Sequence, residues 1–124
     1  MRSHSMALTD TDAALLWDMR KAAREVVSFV EGIDLASYEE DLMRQRAVER
    51  SVEIIGEAAR GLSEPFRSQH PEVEWRAITA TRHILAHEYA AVIPGRLWRI
   101  ATEHVPTLIK RLEAILPDET DAGP

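Results

Sequence analysis

The chain has no cysteine, which excludes a disulfide framework and a thiolate metal site. It has no apolar run near the roughly 18 residues that span a bilayer, so no membrane partner is expected. Its opening residues, MRSHSM, lack the apolar core of a secretory signal. Residues 1–7 read as a disordered start or an expression scar, and the simplest compartment is the cytoplasm. Lysine is nearly missing: thirteen of the fifteen basic residues are arginine, the others being Lys21 and Lys110. A net charge of −6 argues against a surface coated for phosphate binding, while leaving room for a local basic site. No strand pattern, internal repeat or low-complexity block is visible.

What is present is helical. With 124 residues and 45% apolar content, the chain can bury one core. Thr9 or Asp10 can cap a first helix whose apolar seam is Leu16, Met19, Ala23, Val26, Val30 and Ile33, with Gly32 as its stop. Arg20, Lys21, Arg24 and Glu25 form its solvated side. Residues 33–40 make a connection, with Asp34 or Ser37 capping a short turn. A second helix over about 39–61 has the seam Val48, Val52, Ile55, Ala59 and Leu62. Pro65 and Pro71 break the next stretch, leaving a turn near 65–69. Trp75 opens a third helix that ends within 90–95. Pro94 starts a last helix reaching about Leu116, apolar at Leu97, Ala101, Val105, Leu108, Leu112 and Ile115, with Pro106 kinking it. The expected fold is all-α: an up-and-down bundle of four main helices plus short helical turns, over residues 8–116, followed by a flexible acidic tail at 117–124.

One seam is unusual. Trp75, Ile78, Arg82, Leu85, Tyr89 and Val92 follow a three-four spacing, with arginine where leucine is expected. Burying a guanidinium unpaired costs several kcal/mol, on the order of an ion's desolvation penalty. Arg82 therefore has an internal carboxylate partner, or the seam opens there into a wet cleft. Gly56, mid-helix in Ile55-Gly56-Glu57-Ala58, points to a close approach of another backbone, and Glu57 is a candidate partner for Arg82.

Two chemical readings compete at residues 82–89, beside a purely structural one in which Arg82 pairs with Glu57. His83 and His87 are four apart, a spacing at which two imidazoles can bind one zinc. However, no glutamate follows the first histidine, and nothing in the spacing nominates a third ligand. The second reading is a metal-free phosphodiester site. Histidine titrates near neutrality and can move the proton of a ribose 2′-hydroxyl. Arginine can hold the charge that develops on phosphoryl oxygens, and tyrosine can orient phosphate or stack on a base. On an ideal helix Arg82 and Tyr89 share a face, while His87 points about 140° from Arg82. A single straight helix does not unite the two.

The stretch Arg82-x4-His87-x-Tyr89 resembles the signature of HEPN-domain ribonucleases in their HepT toxin form. Val48-Glu49-Arg50 with Ile54-Ile55-Gly56-Glu57-Ala58 is similar to that family's second-helix block. Trp75-Arg76-Ala77-Ile78 is similar to the stretch before its motif, and Leu97-Trp98-Arg99-Ile100 with Val105-Pro106 to its last helix. The resemblance implies a homodimer with its cleft at the subunit interface. It implies a metal-independent, cofactor-free endoribonuclease acting on tRNA or mRNA rather than DNA, the toxin of a type II/VII-like toxin–antitoxin pair. Arg82 and His87 would be catalytic, and Glu57 and His83 supporting. Tyr89 would be the tyrosine that a nucleotidyltransferase antitoxin called MntA modifies with AMP. The alternative implied is a non-catalytic HEPN-type module that binds RNA, nucleotide or such a partner. The chain departs from the family pattern at His83, where asparagine is usual, and at Val92-Ile93-Pro94, where an acidic residue often follows the motif.

Overall fold

In the computed structural model, residues 8–87 and 94–116 are described, with the backbone alone at 84, 86 and 87. The expected residues 1–7 and 117–124, and the end of the third main helix with Tyr89 and Val92, lie outside them. Helix α1 (Asp10–Val30) begins at Thr9, whose Oγ1 accepts the Asp12 amide at 3.0 Å. It stops just before Gly32, which takes a φ of 80° that side chains rarely adopt. Helix α3 (Leu42–Gly61) starts later than the sequence implies. Asp41 caps it, and residues 35–39 form a separate helix, α2 (Leu35–Glu39), capped by Asp34.

The short α2 matters more to the core than its length suggests. Tyr38 is fully buried and packs its ring 5.4 Å from that of Trp98. Its hydroxyl is buried with no hydrogen-bond partner among the described residues. Buried Gln45 of α3 donates to the carbonyls of Tyr38 at 2.9 Å and Glu39 at 3.1 Å, satisfying the end of α2.

Helix α4 (Glu64–Gln69) follows, capped by Ser63 with Pro65 in its first turn. Ser63 also ties the chain back to α1: its hydroxyl donates to Asp12 at 2.6 Å and its amide at 2.9 Å. Helix α5 (Trp75–His87) opens with Trp75, whose indole N–H donates to the His70 carbonyl at 2.9 Å. The last main helix has three parts: α6 (Pro94–Arg99), a π-turn (Ile100–His104) and α7 (Val105–Ile115). The expected distortion at Pro106 takes the form of that π-turn. Proline cannot donate to the ladder, and its ring crowds the carbonyl four residues back. The preceding turn widens, and the Val105 amide reaches the Ile100 carbonyl, five residues back.

All described regular structure is helical, in four main rods with short connectors. Most seam residues read from the sequence are buried, while Ile33, Ile78, Arg82 and Ile115 are partly buried. Leu16, Met19, Ala23 and Val26 of α1 meet a core that includes Val48, Ile55 and Ala59 of α3 and Leu97, Val105 and Leu112 of the last helix. Helix α3 lies against both α1 and α5, and α1 also packs on α7. Arg20 corrects the expectation of a solvated side chain: it is buried. It stands four residues after Leu16, at the seam's edge, where an arginine stem can cover apolar surface. Arg24 meets Glu113 of α7 at 2.7 Å. No described helix is long and apolar enough to cross a membrane.

Candidate active site

The geometry begins with a glycine. A Cβ on Gly56 of α3 would overlap the Cβ of Arg82, lie 2.9 Å from its Cγ and lie 3.3 Å from the Ile78 carbonyl oxygen. Helix α5 therefore rests on α3 at a position without a side chain, and the stem of Arg82 lies in the space. This is the close approach that a mid-helix glycine implied. Fixing the stem fixes where the guanidinium begins.

The guanidinium itself is incompletely satisfied. Arg82 is half-buried, and its Nε is shielded from solvent with no hydrogen-bond partner among the described residues. The expected carboxylate does not supply one. Glu57 is exposed and lies 3.8 Å from the Arg50 guanidinium. The reason is rotational: Glu57 follows Gly56, so it points about 100° away from the side of α3 that faces α5. Leu85 continues the seam above Arg82 and is buried.

The other sequence candidates are distributed as follows. His83 is exposed on α5. His87 ends α5 as a backbone position, its side chain lying outside the described atoms, and Tyr89 lies outside the described residues. Arg82 and His87 are thus on one helix, five residues apart, a rotation of about 140°. Among the described residues no three His, Asp or Glu side chains gather as a metal-binding group.

A feature that sequence spacing missed lies on the adjoining face of α5. A cleft of about 440 Å³ opens between α3, α5, residues 72–74 and the last helix. Ala77, Ile78 and Thr81 of α5 line it, together with Arg96, Arg99 and His104. Arg111 donates to the Glu72 carbonyl at its edge. The His70 ring, 2.9 Å from the Glu72 carboxylate, holds that group below its usual pKa. The only advance sign was the clustering of arginines around the last helix, which carries no register of its own.

A family model described as "Ribonuclease HepT-like" matches residues 19–115. The chain is 36% identical over 102 residues to "Putative RNase MJ1380" of Methanocaldococcus jannaschii, covering 82% of this chain and 94% of that one. It is 36% identical over 94 residues to "Putative RNase TTE0752" of Caldanaerobacter subterraneus subsp. tengcongensis, covering 76% and 84%. It is 33% identical over 100 residues to "Probable ribonuclease HepT" of Thermococcus cleftensis, covering 81% and 91%. No solved structure matches the chain.

Proposed function

Because this chain belongs to the HepT-like ribonuclease family, we propose that it is a metal-independent endoribonuclease in which Arg82 and His87 are the catalytic pair. The observation that carries this reading is the seat of Arg82. Its stem is fixed over Gly56, and a buried N–H is left without an acceptor among the described residues. A phosphoryl oxygen is an acceptor of the right charge for that donor.

The chemistry follows from the residue types. The His87 imidazole takes the proton of a ribose 2′-hydroxyl as that oxygen attacks the adjacent phosphorus. The bond from phosphorus to the 5′-oxygen breaks, and the imidazolium returns the proton to the leaving oxygen. Arg82 holds the negative charge on the non-bridging oxygens throughout. The products are a 2′,3′-cyclic phosphate and a 5′-hydroxyl. The 140° between the two residues is reconciled by a homodimer in which a cleft between subunits gathers Arg82 of one copy and His87 of the other. Glu57 and His83, exposed beside Gly56 and Arg82, act as supporting residues at the rim.

In this reading the protein is the toxin of a toxin–antitoxin pair. A nucleotidyltransferase of the MntA kind transfers AMP to Tyr89, placing bulk and negative charge in the RNA path. Incubation with total RNA in EDTA tests the core of the proposal. The wild type should yield fragments ending in 2′,3′-cyclic phosphate, and His87→Ala should leave the RNA intact. Intact RNA with the wild type would instead mean a non-catalytic module, and cleavage stopped by EDTA would mean a metal enzyme. Treatment with the nucleotidyltransferase and ATP should silence the wild type and spare Tyr89→Phe.

A further inference from the structure

The cleft beside α5 is not used by the chemistry above, and its lining has two distinct parts. Its floor is aliphatic, from Val52 and Ile55 of α3 and Ile100 and Leu108 of the last helix. Its rim carries Arg96, Arg99, His104 and Arg111, all exposed. Three of the thirteen arginines of an acidic chain thus face one hollow. Glu72 and Glu74 also line it, but the Glu72 carboxylate is turned to His70 at 2.9 Å. Arg99 leans on Glu103 at 3.4 Å, with both side chains more than half exposed, so water and salt loosen that pair. His104 belongs to the π-turn, which carries the rim from Arg99 toward Arg111.

We propose that this cleft is a subsite for the nucleotide of single-stranded RNA next to the scissile bond, with the base on the aliphatic floor and its phosphate between Arg96 and Arg99. The proposal rests on the ribonuclease reading and assigns the site its substrate form: an unpaired strand. A volume of 440 Å³ falls within the range of small-ligand pockets. An apolar floor with cations at the edge is the arrangement that takes the flat face of an unstacked base and its backbone charge. Position supports it as well. Ile78 lines the cleft and also touches the Gly56 seat, and Arg82 stands one helical turn further along the same row, about 5–6 Å. A strand lying in the cleft reaches Arg82 with its next phosphate. Paired RNA cannot place a base on the floor, because its bases are stacked inside the duplex.

The test uses the full chain, wild type and Arg96→Gln/Arg99→Gln, with circular dichroism confirming the fold of each. Binding of a fluorescein-labelled 2′-O-methyl RNA, which cannot be cut by this chemistry, is read by anisotropy. Cleavage of the matching RNA is followed in parallel. The variant should bind about tenfold more weakly, with a salt dependence flatter by about 1.4, two contacts at roughly 0.7 each. Its loss in cleavage should fall mainly on KM. Removing single bases from the RNA should weaken wild-type binding at the position adjoining the cut, and double-stranded RNA should bind poorly. Unchanged affinity and salt slope in the variant, with cleavage intact, would overturn the subsite alone. Arginine-dependent binding without any cleavage by the wild type would keep the subsite and remove the nuclease. Absence of RNA binding by the wild type would remove both. If the variant instead falls to monomers in light scattering with RNA affinity unchanged, the cleft is a contact between copies and the subsite is overturned.

Discussion

Two glycines of α3 face two different neighbours. At Gly61, near its end, an added Cβ would come within 3.2 Å and 3.7 Å of the terminal methyls of Leu15 on α1. At Gly56 it would run into the first two carbons of Arg82 and a backbone carbonyl. The end of a leucine can rotate aside; the root of an arginine and the backbone beneath it cannot. The α1 side of α3 is a conventional apolar contact, tolerant in detail. The α5 side is fitted around one side chain, and that side chain is cationic. Sequence patterns that look alike, a small residue on a helix face, therefore carry different meanings at the two positions.

The strongest way to break this comparison is to remove the cation while keeping its bulk. Arg82→Met should lower kcat by about 10²- to 10³-fold, the usual loss for one preorganised donor to a developing oxyanion. Thermal melting should show stability unchanged or raised, because a buried donor with no partner among the described residues disappears. A large drop in melting temperature with activity retained would make Arg82 a structural residue. Next in size is Gly56→Ala. Overpacking at a fixed neighbour should destabilise the fold by about 1–3 kcal/mol and lower cleavage by displacing Arg82. Gly61→Ala should stay within about 1 kcal/mol, since the methyl is accommodated and alanine favours the helix, with cleavage intact. Equal effects at the two positions in denaturant melts would erase the distinction.

A smaller effect is expected where α1 meets Ser63. Burial alone would raise the Asp12 pKa; the hydrogen bonds from the Ser63 hydroxyl and amide, and from Thr9, outweigh it and hold the group below its ordinary value of 3.8. The folded form thus binds the proton less readily than the unfolded one. Its contribution is complete above the unfolded value and is lost as pH falls through the folded one. Asp12→Ala should cost about 2 kcal/mol at neutral pH, with the difference from wild type shrinking in acid.

The smallest expected change is at Tyr38. Burial, with the Glu49 charge adding to it, pushes its hydroxyl up to about 12. Unfolded tyrosine loses its proton near 10, so stability should decline as pH rises from about 10 to 12. Tyr38→Phe should leave neutral stability within about 1 kcal/mol, since the hydroxyl has no partner among the described residues. It should also remove that alkaline slope in melts between pH 9 and 12.

The long helices were legible because burial repeats along them. The seams of α1, α3 and the last helix, the stop at Gly32 and the start at Pro94 follow from local chemistry. Gly56 in mid-helix announced a close approach and Arg82 in an apolar row an unusual site, but that the two meet each other was not legible. Direction was harder to read. Glu57 looked available to Arg82 because it is next to Gly56, yet adjacency along a helix is a large rotation around it. Tyr38 was passed over because a five-residue helix is too short to show a period. The Asp12–Ser63 link spans 51 residues and has no local trace beyond two ordinary cap signals. The cleft arises from three segments that meet only in the folded chain.

The widened turn at Ile100–His104 has a consequence for length. It accommodates one more residue than the regular ladder would need before Pro106. Excising a single residue there should let the rod close into an ordinary spiral with Leu97 and Leu112 still facing inward. The same excision inside α1 would swing every later side chain by a quarter turn or more. Relatives of unequal length can thus trade a residue at this point without disturbing either end of the rod.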